Sequence, residues 1–176
     1  ALHGDRIRPG DVLLAYESTG LHTNGYTLAR RILFDVLKLQ LEAPLADTGH
    51  TVGETLLAVH RSYSLAVMPV IARVHGMAHI TGGGIPGNLV RVLPKGCEAI
   101  VETRSWVWPP LFRMLQDAGR VSTDEMRDVF NLGAGLIAVR PRDAVSAAQV
   151  AAAAAGVPTW VLGEIRQGAT GVRFTS

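Results

Sequence analysis

The sequence has little cysteine, no long apolar run and no block of one charge sign, and each shortage excludes a class of protein. Cys97 is the only cysteine among 176 residues, so an intrachain disulfide framework is excluded. Apolar runs stay far below the roughly 20 residues that a membrane-spanning helix needs. The first residues lack the charged start and apolar stretch of a signal peptide. We therefore expect a cytoplasmic protein that does not enter a membrane.

The charges are balanced and dispersed. Seventeen Lys and Arg residues face fifteen Asp and Glu residues, which leaves a net charge of +2. A nucleic-acid-binding protein usually carries clustered Lys and Arg, and no such cluster is present. We therefore expect no nucleic-acid partner. The length suits one domain, and the sequence contains no internal repeat or evident linker.

Short apolar runs and amphipathic stretches follow one another along the chain. Runs bounded by turn residues predict strands at 11–16, 78–81, 97–103, 135–140, 159–162 and 171–175. Helical spacing and capping residues predict helices at 28–37, 55–60, 63–75, 85–92, 110–115, 123–130 and 145–155. Because helices follow one another in places, the order favours an α+β fold with a layered mixed sheet over a strict βαβ repeat.

The first candidate site is the loop of residues 18–25, which joins a predicted strand to a predicted helix. Backbone N–H groups and the positive helix end converge at such a junction and suit an anion. The loop also supplies hydrogen-bond donors and one titratable side chain, that of His22. Its candidate site residues are Ser18, Thr19, Gly20, His22, Thr23, Asn24 and Gly25. His22 could donate to a developing anion or carry a proton. The alternative is structural: Thr23 or Asn24 caps the helix and the glycines turn the chain.

The second candidate site is the glycine loop, residues 81–84, which reads Thr81-Gly82-Gly83-Gly84. It also lies between a predicted strand and a predicted helix, where successive backbone N–H groups can form an anion-binding nest. It lacks the Gly-Lys-Ser/Thr of a phosphate-binding P-loop. A plain turn is the alternative, because a lone glycine triplet is not specific.

Other patterns of enzyme chemistry are missing. The six histidines show no metal-ligand spacing, and Cys97 has no partner cysteine, so the sequence predicts no metal site. No G-x-S-x-G nucleophile elbow occurs. The residues alone therefore indicate an α+β domain with one or two anion-binding loops.

Several motifs, in order, resemble the AIR synthetase family. Its G-D-V-L followed by S-S-G-x-H-S-N-G-Y-S-L is similar to residues 10–13 and 18–28. Its H-I-T-G-G-G and R-V-L-P resemble residues 79–84 and 91–94, and its F-N-x-G-x-G resembles residues 130–135. Departures are His60-Arg61-Ser62-Tyr63, where the family often reads T-R-I-Y, and Val90, where it often has Pro.

The resemblance implies the carboxy-terminal domain of that enzyme over residues 1–176, without its amino-terminal ATP-binding domain. The full enzyme is an ATP-dependent cyclo-ligase that closes formylglycinamidine ribonucleotide to aminoimidazole ribonucleotide in purine biosynthesis. ATP and Mg²⁺ would be held mostly by the other domain, and a homodimer is expected. His22 would be the catalytic group. Substrate and phosphate binding would fall to Ser18, Thr19, Gly20, Asn24, Gly25, Thr81, Gly82, Gly83, Gly84 and Asn88.

Two other functions are compatible with the same residues. One is a different ATP-dependent enzyme of the superfamily, such as one resembling formylglycinamidine ribonucleotide synthetase. The other is a non-catalytic binding module of this fold.

Overall fold

The computed structural model describes residues 4–175 and centres on one six-stranded sheet. The strands are β1 (Val12–Glu17), β2 (Gly76–His79), β3 (Cys97–Glu102), β4 (Ala134–Arg140), β5 (Thr159–Gln167) and β6 (Gly171–Thr175). Their order across the sheet is β2-β4-β1-β5-β3-β6. Neighbours are antiparallel except β3 and β6, which are parallel. The predicted α+β class with a mixed sheet is confirmed.

Seven α-helices connect the strands. They are α1 (Tyr26–Arg30), α2 (Val52–Leu56), α3 (Ser64–Val67), α4 (Gly84–Leu89), α5 (Pro110–Gly119), α6 (Thr123–Val129) and α7 (Val145–Ala154). α1 continues in π-helical form over Arg31–Val36, and α3 continues in 3-10 form over Met68–Arg73. Short 3-10 turns occupy Val90–Val92, Thr103–Ser105 and Arg142–Ala144. No described helix has both the length and the apolar character to traverse a lipid bilayer.

Both faces of the central strands β1 and β4 are buried, which explains why the sequences of these two strands are almost continuously apolar. Alternate residues of β1 point to opposite faces. Leu13 and Ala15 belong to one core cluster, which also receives α4, while Leu14 and Tyr16 belong to another, which receives α3 and α7. A third cluster joins α1, α5 and α6. The sheet thus forms the middle layer of the domain.

The strand predictions are confirmed to within a few residues, but two helix predictions are wrong in detail. The helix predicted at 55–60 is α2 and ends at Leu56, and residues 58–63 have no regular structure. Leu57 and Val59, which lie within the predicted helix, are 81% and 84% exposed. The helix predicted at 63–75 is α-helical over Ser64–Val67 and 3-10 helical over Met68–Arg73. The change occurs at Met68-Pro69, because Pro lacks the N–H that an α-helix needs.

The predicted apolar stripe at 28–37 is also only partly buried. Ile32 and Leu33 lie in the core, whereas Val36 and Leu37 are 50% and 37% exposed. The cause is the π-helical geometry of Arg31–Val36, which places more residues in each turn than the 3.6 of an α-helix. The later residues are rotated away from the face that α-helical spacing predicts.

Candidate functional site

The first loop follows β1, and its first residues are held by hydrogen bonds to Asn131 and Gly133. The Ser18 N–H donates to the Gly133 carbonyl at 2.8 Å, and the Ser18 hydroxyl donates to Asn131 Oδ1 at 2.9 Å. The Asn131 amide also donates to the Gly20 carbonyl and accepts from the Gly133 N–H, both at 2.8 Å. Asn131 is 3% exposed, so these bonds fix the loop from inside the domain.

His22 has an unusual backbone and a defined tautomer. Its φ of 58° lies in the left-handed region, and its side chain is 5% exposed. The Thr19 N–H donates to His22 Nε2 at 3.1 Å, which requires a lone pair on Nε2 and places the proton of the neutral ring on Nδ1. Nδ1 is buried and has no hydrogen-bond partner among the described residues. The loop therefore presents a buried N–H donor that a ligand could satisfy.

The electrostatic surroundings keep His22 neutral. Burial, with smaller contributions from the neighbouring His60, His79 and Arg61, lowers its pKa to about 4. Burial and His60 also lower the pKa of His79. Near pH 7 both imidazoles are uncharged, so His22 acts as a hydrogen-bond donor through Nδ1 rather than as a cation.

The walls around His22 are close. Tyr63 donates its hydroxyl to the Glu17 carbonyl at 2.9 Å. A Cβ on Gly135 would lie 2.0 Å from that Tyr63 oxygen and 2.6 Å from His22 Cε1. Glycine at position 135 is therefore required for the imidazole and the phenol to pack over β4.

The glycine loop is held by one side chain. The Asn88 amide, 6% exposed, donates to the carbonyls of Thr81, Gly82 and Gly84 at 3.1, 3.2 and 2.7 Å. Thr81 donates its hydroxyl to Asn88 Oδ1 at 2.9 Å. Gly83 and Gly84 have φ values of 92° and 57°, a region that favours glycine. The Asn88 side chain thus supports the loop and is not directed into open space.

The two predicted loops meet. Asn24 Oδ1 in the first loop lies 3.3 Å from the position that a Cβ on Gly82 would take. His79, three residues before Gly82, has its ring centroid 6.4 Å from that of His22. The fold therefore brings both anion-binding candidates to one edge of the sheet.

A third histidine joins them from the segment between α2 and α3. The His60 ring stacks on His22 with centroids 3.9 Å apart, and His60 Nε2 lies 2.9 Å from His79 Nε2. Ligand nitrogens of His22, His60 and His79 all lie within 4.8 Å of one another. This grouping does not follow from the spacing of the histidines in the sequence.

A metal site needs several ligand side chains close together. Within residues 4–175, the group of three or more that meets this condition is the histidine trio, whose ligand atoms are imidazole nitrogens. Mg²⁺ prefers carboxylate, phosphate and water oxygens. These three imidazoles therefore do not fit a Mg²⁺ site.

The first loop opens onto two cavities. Ser18, Thr19 and Gly20 line a cavity of about 1010 Å³, together with the segment around Val59 and the start of α5. Asn24 and Gly25 line a smaller cavity of about 470 Å³. The capping interpretation of this loop is wrong, because the residue preceding α1 is Gly25, with φ 77° and no side-chain cap.

The structure thus brings most predicted site residues together, and it adds Asn131, His60 and His79. Asn131 belongs to the F-N-x-G-x-G motif, but no sequence pattern connects it to Ser18, 113 residues earlier. The ligand roles predicted for Ser18 and Asn88 stay predictions, since both side chains are engaged within the protein.

This architecture, a six-stranded mixed sheet with two strand-to-helix loops at one edge, has clear relatives. Residues 8–174 match the family described as "AIR synthase related protein, C-terminal domain". The chain belongs to the AIR synthase-related family, over its C-terminal domain.

Relatives with functional names are similar over nearly the whole chain. A phosphoribosylformylglycinamidine cyclo-ligase of Sorangium cellulosum is 46% identical over 168 residues, which cover 93% of this chain and 48% of that protein. A "putative phosphoribosylformylglycinamidine cyclo-ligase" of Streptomyces fradiae is 41% identical, over 90% of this chain and 88% of that protein. The chain spans about half the length of most curated relatives that it matches.

Solved structures share the fold at low identity. A thiamine-monophosphate kinase of Stenotrophomonas maltophilia superposes with a TM-score of 0.66 at 19% identity, covering 99% of this chain and 52% of its own. The hydrogenase maturation protein HypE of E. coli gives a TM-score of 0.61 at 18% identity, covering 100% of this chain and 49% of its own. At these identities the likeness concerns the fold alone.

Proposed function

We propose that this chain is the substrate-binding, C-terminal half of a phosphoribosylformylglycinamidine cyclo-ligase. The reaction would use ATP to close formylglycinamidine ribonucleotide to aminoimidazole ribonucleotide in purine biosynthesis. Family membership and the names of the relatives support the reaction. The observation that carries the site is the buried Nδ1–H of His22, which has a defined tautomer and no partner among the described residues.

The chemistry needs such a donor. ATP transfers its γ-phosphoryl group to the formyl oxygen, and ADP leaves. The amidine nitrogen then attacks the formyl carbon, the C–O bond breaks, phosphate departs with that oxygen, and a proton is released. The His22 Nδ1–H would donate to this oxygen as it takes up negative charge, in a buried setting where a fixed donor acts strongly.

The two loops would position the substrate. Backbone N–H groups at Gly82 and Gly83 can face a ribose phosphate, and Asn24 lies beside them at the meeting point of the loops. Holding the sugar phosphate there would place the amidine end near His22, and this positioning lowers the entropic part of the barrier.

The remaining functions would belong to a second domain. A structural neighbour, AaThiL, was solved with AMPPCP and TMP, and a HypE neighbour was solved with ATP; this chain covers about half of each. ATP and Mg²⁺ would be held mainly by the amino-terminal half. Leu57, Val59 and Leu65, each at least 80% exposed, offer an apolar face near the large cavity for that half to cover. A cytoplasmic homodimer completes the proposal.

Calorimetric titration of this chain with formylglycinamidine ribonucleotide tests the site. We expect binding that weakens about tenfold in His22→Asn, which loses one buried hydrogen bond. Asn tolerates the left-handed backbone of position 22, so the loop conformation is kept. Lys38→Asn is the matched control, because Lys38 also has a left-handed φ, 54°, but is exposed and remote from the loops.

Formylglycinamide ribonucleotide, with a carbonyl oxygen in place of the amidine nitrogen, separates the alternatives. Tighter binding of this compound would favour an enzyme resembling formylglycinamidine ribonucleotide synthetase. Equal affinity of the wild-type chain and His22→Asn for the amidine substrate would contradict the role of His22. The chain by itself should show no cyclo-ligase turnover. Aminoimidazole ribonucleotide formed by it would overturn the proposal that a second domain is needed to bind ATP and Mg²⁺.

A further inference from the structure

Three imidazoles converge from three separate segments of the chain. His22 lies in the first loop, His60 in the irregular segment 58–63, and His79 at the end of β2. The His60 and His79 rings have centroids 4.9 Å apart, and nitrogens of all three residues lie within 4.8 Å of one another. Neither the proposed ring closure nor the packing of the sheet requires His60 to be a histidine.

We propose that His22, His60 and His79 form a binding site for a transition-metal ion, with Zn²⁺ as the expected occupant. Imidazole nitrogen is a ligand that Zn²⁺, Cu²⁺ and Ni²⁺ prefer, whereas Mg²⁺ and Ca²⁺ require oxygen. The group contains no carboxylate, so the hard ions are disfavoured. This inference stands on the geometry of the three side chains and does not rest on the cyclo-ligase proposal.

The distance between the His60 and His79 nitrogens is close to that between two ligands of one ion. Zn–N bonds of about 2.0–2.1 Å at tetrahedral angles separate neighbouring ligand nitrogens by about 3.3 Å. His60 Nε2 and His79 Nε2 are 2.9 Å apart, with a single proton shared between two nitrogens. An ion would replace that proton, and a movement of a few tenths of an ångström would open the pair to the tetrahedral separation.

His60 is the ligand that must turn. Its ring stacks on His22 with only 21° between the planes, and two stacked rings cannot both aim a lone pair at one ion. The segment 58–63 has no helix or strand, and His60 is only partly buried, so its side chain can rotate out of the stack. The site would therefore form by movement of His60 toward His22 in the first loop and His79 on β2.

His22 can supply the third ligand through either nitrogen. Coordination by Nδ1 would move the ring proton to Nε2 and break the hydrogen bond from the Thr19 N–H, while coordination by Nε2 would replace that bond directly. In either case one hydrogen bond is exchanged for a metal–nitrogen bond. Three imidazoles leave a fourth tetrahedral position for water or an exogenous anion, as in catalytic zinc sites.

Calorimetry with Zn²⁺ on chelator-stripped protein tests the proposal. We expect one ion per chain and a loss of affinity of at least tenfold in His60→Ala and in His79→Ala. Both residues are outside the buried core, so these variants should fold, and a thermal unfolding curve for each verifies it. His50→Ala is the matched control, because His50 is exposed beside Glu54, 3.9 Å away, and reports on adventitious binding.

X-ray absorption at the zinc edge then counts the imidazole ligands. Three imidazole nitrogens in the wild-type protein and two in His60→Ala would support the site. Wild-type affinity no tighter than that of both variants, or an ion with fewer than three imidazoles, would overturn it. If His60→Ala failed to fold, His60→Gln would serve in its place, because it keeps the size of the side chain without the ring.

Discussion

The first loop and the glycine loop occupy equivalent positions, each between a strand end and a helix, but they are stabilised in different ways. The first loop is fixed by Asn131, which follows Ser18 by 113 positions, and it leaves one buried donor, His22 Nδ1, without a partner among the described residues. The glycine loop is fixed by Asn88, four to seven residues away, and it offers backbone alone. We infer that the first loop supplies the hydrogen-bond donor for the reaction, and that the glycine loop lets the substrate approach the backbone closely.

The largest expected effect comes from adding a methyl group to the glycine loop. A Cβ on Gly84 would lie 1.7 Å from the Arg127 carbonyl oxygen and 3.2 Å from that of Phe130, at a φ of 57°. Both obstacles are backbone atoms, so they cannot rotate away. We expect Gly84→Ala to lower the free energy of unfolding by about 4 kcal/mol, measured by urea denaturation.

The matched control is Gly87→Ala in the same helix, α4. No atom lies within 4 Å of its added Cβ, and alanine is favoured over glycine in a helix by up to about 1 kcal/mol. We expect Gly87→Ala to leave the stability unchanged or slightly increased. Equal losses in both variants would show that the tight packing of Gly84 against α6 is not what restricts this loop.

The second prediction compares the two asparagines. Asn131→Ala leaves the Ser18 hydroxyl and the Gly133 N–H buried without partners, at a cost of about 3 kcal/mol. Asn88→Ala leaves the Thr81 hydroxyl and three carbonyl groups without their partner, but Thr81 and Gly82 are at least partly accessible to water, so the cost should be about 2 kcal/mol. Urea unfolding of both variants measures the difference. A larger loss in Asn88→Ala would reverse the ranking of the two loops.

The third prediction concerns pH. Burial, together with the neighbouring histidines and Arg61, lowers the pKa of His22 in the folded protein to about 4, below its value of about 6.5 in an unfolded chain. The unfolded chain therefore takes up the proton first, so stability is full above about pH 6.5 and falls on acidification until about pH 4. Lowering the pKa from about 6.5 to about 4 corresponds to a loss of about 3 kcal/mol.

Urea unfolding across this pH range, with a chelator present, checks the effect. His22→Asn should reduce the pH dependence, and the part that remains should include His79, whose pKa is lowered in the same direction. If the stability of His22→Asn depended on pH as steeply as that of the wild type, the His22 imidazole would be accessible to water and protons in the folded protein. That result would contradict the burial of His22 described above.

The sequence predicted the strands better than the helices, and the reason lies in burial. β1 and β4 are covered on both faces, so their apolar runs are continuous and unambiguous. The segment containing Leu57 and Val59 is apolar without being buried, and a pattern of apolar residues cannot reveal which surface a side chain faces. The π-helical turns after α1 likewise change the register that α-helical spacing assumes.

The candidate site likewise contains some residues that the sequence predicted and others that it did not. Small residues and hydroxyls immediately after a strand were sufficient to locate both loops, because their role is local. Asn131 and His60 reach the first loop through tertiary contacts spanning 113 and 38 positions, and no spacing rule connects them to His22. Sequence patterns identify residues that act through their own backbone, but not those that arrive from elsewhere in the fold.

The smallest effect distinguishes a real helix cap from an apparent one. Ser122 precedes α6 and accepts a hydrogen bond from the Glu125 N–H at 3.1 Å, as its sequence predicts. Thr23 precedes α1 by three residues and is exposed, and the position next to that helix is Gly25, which has no side chain to cap it. We expect Ser122→Ala to cost about 1 kcal/mol in urea unfolding and Thr23→Ala less than about 0.5 kcal/mol. If Thr23→Ala were the more costly, the first loop would be stabilised from its own helix as well as from Asn131, and its contrast with the locally stabilised glycine loop would largely disappear.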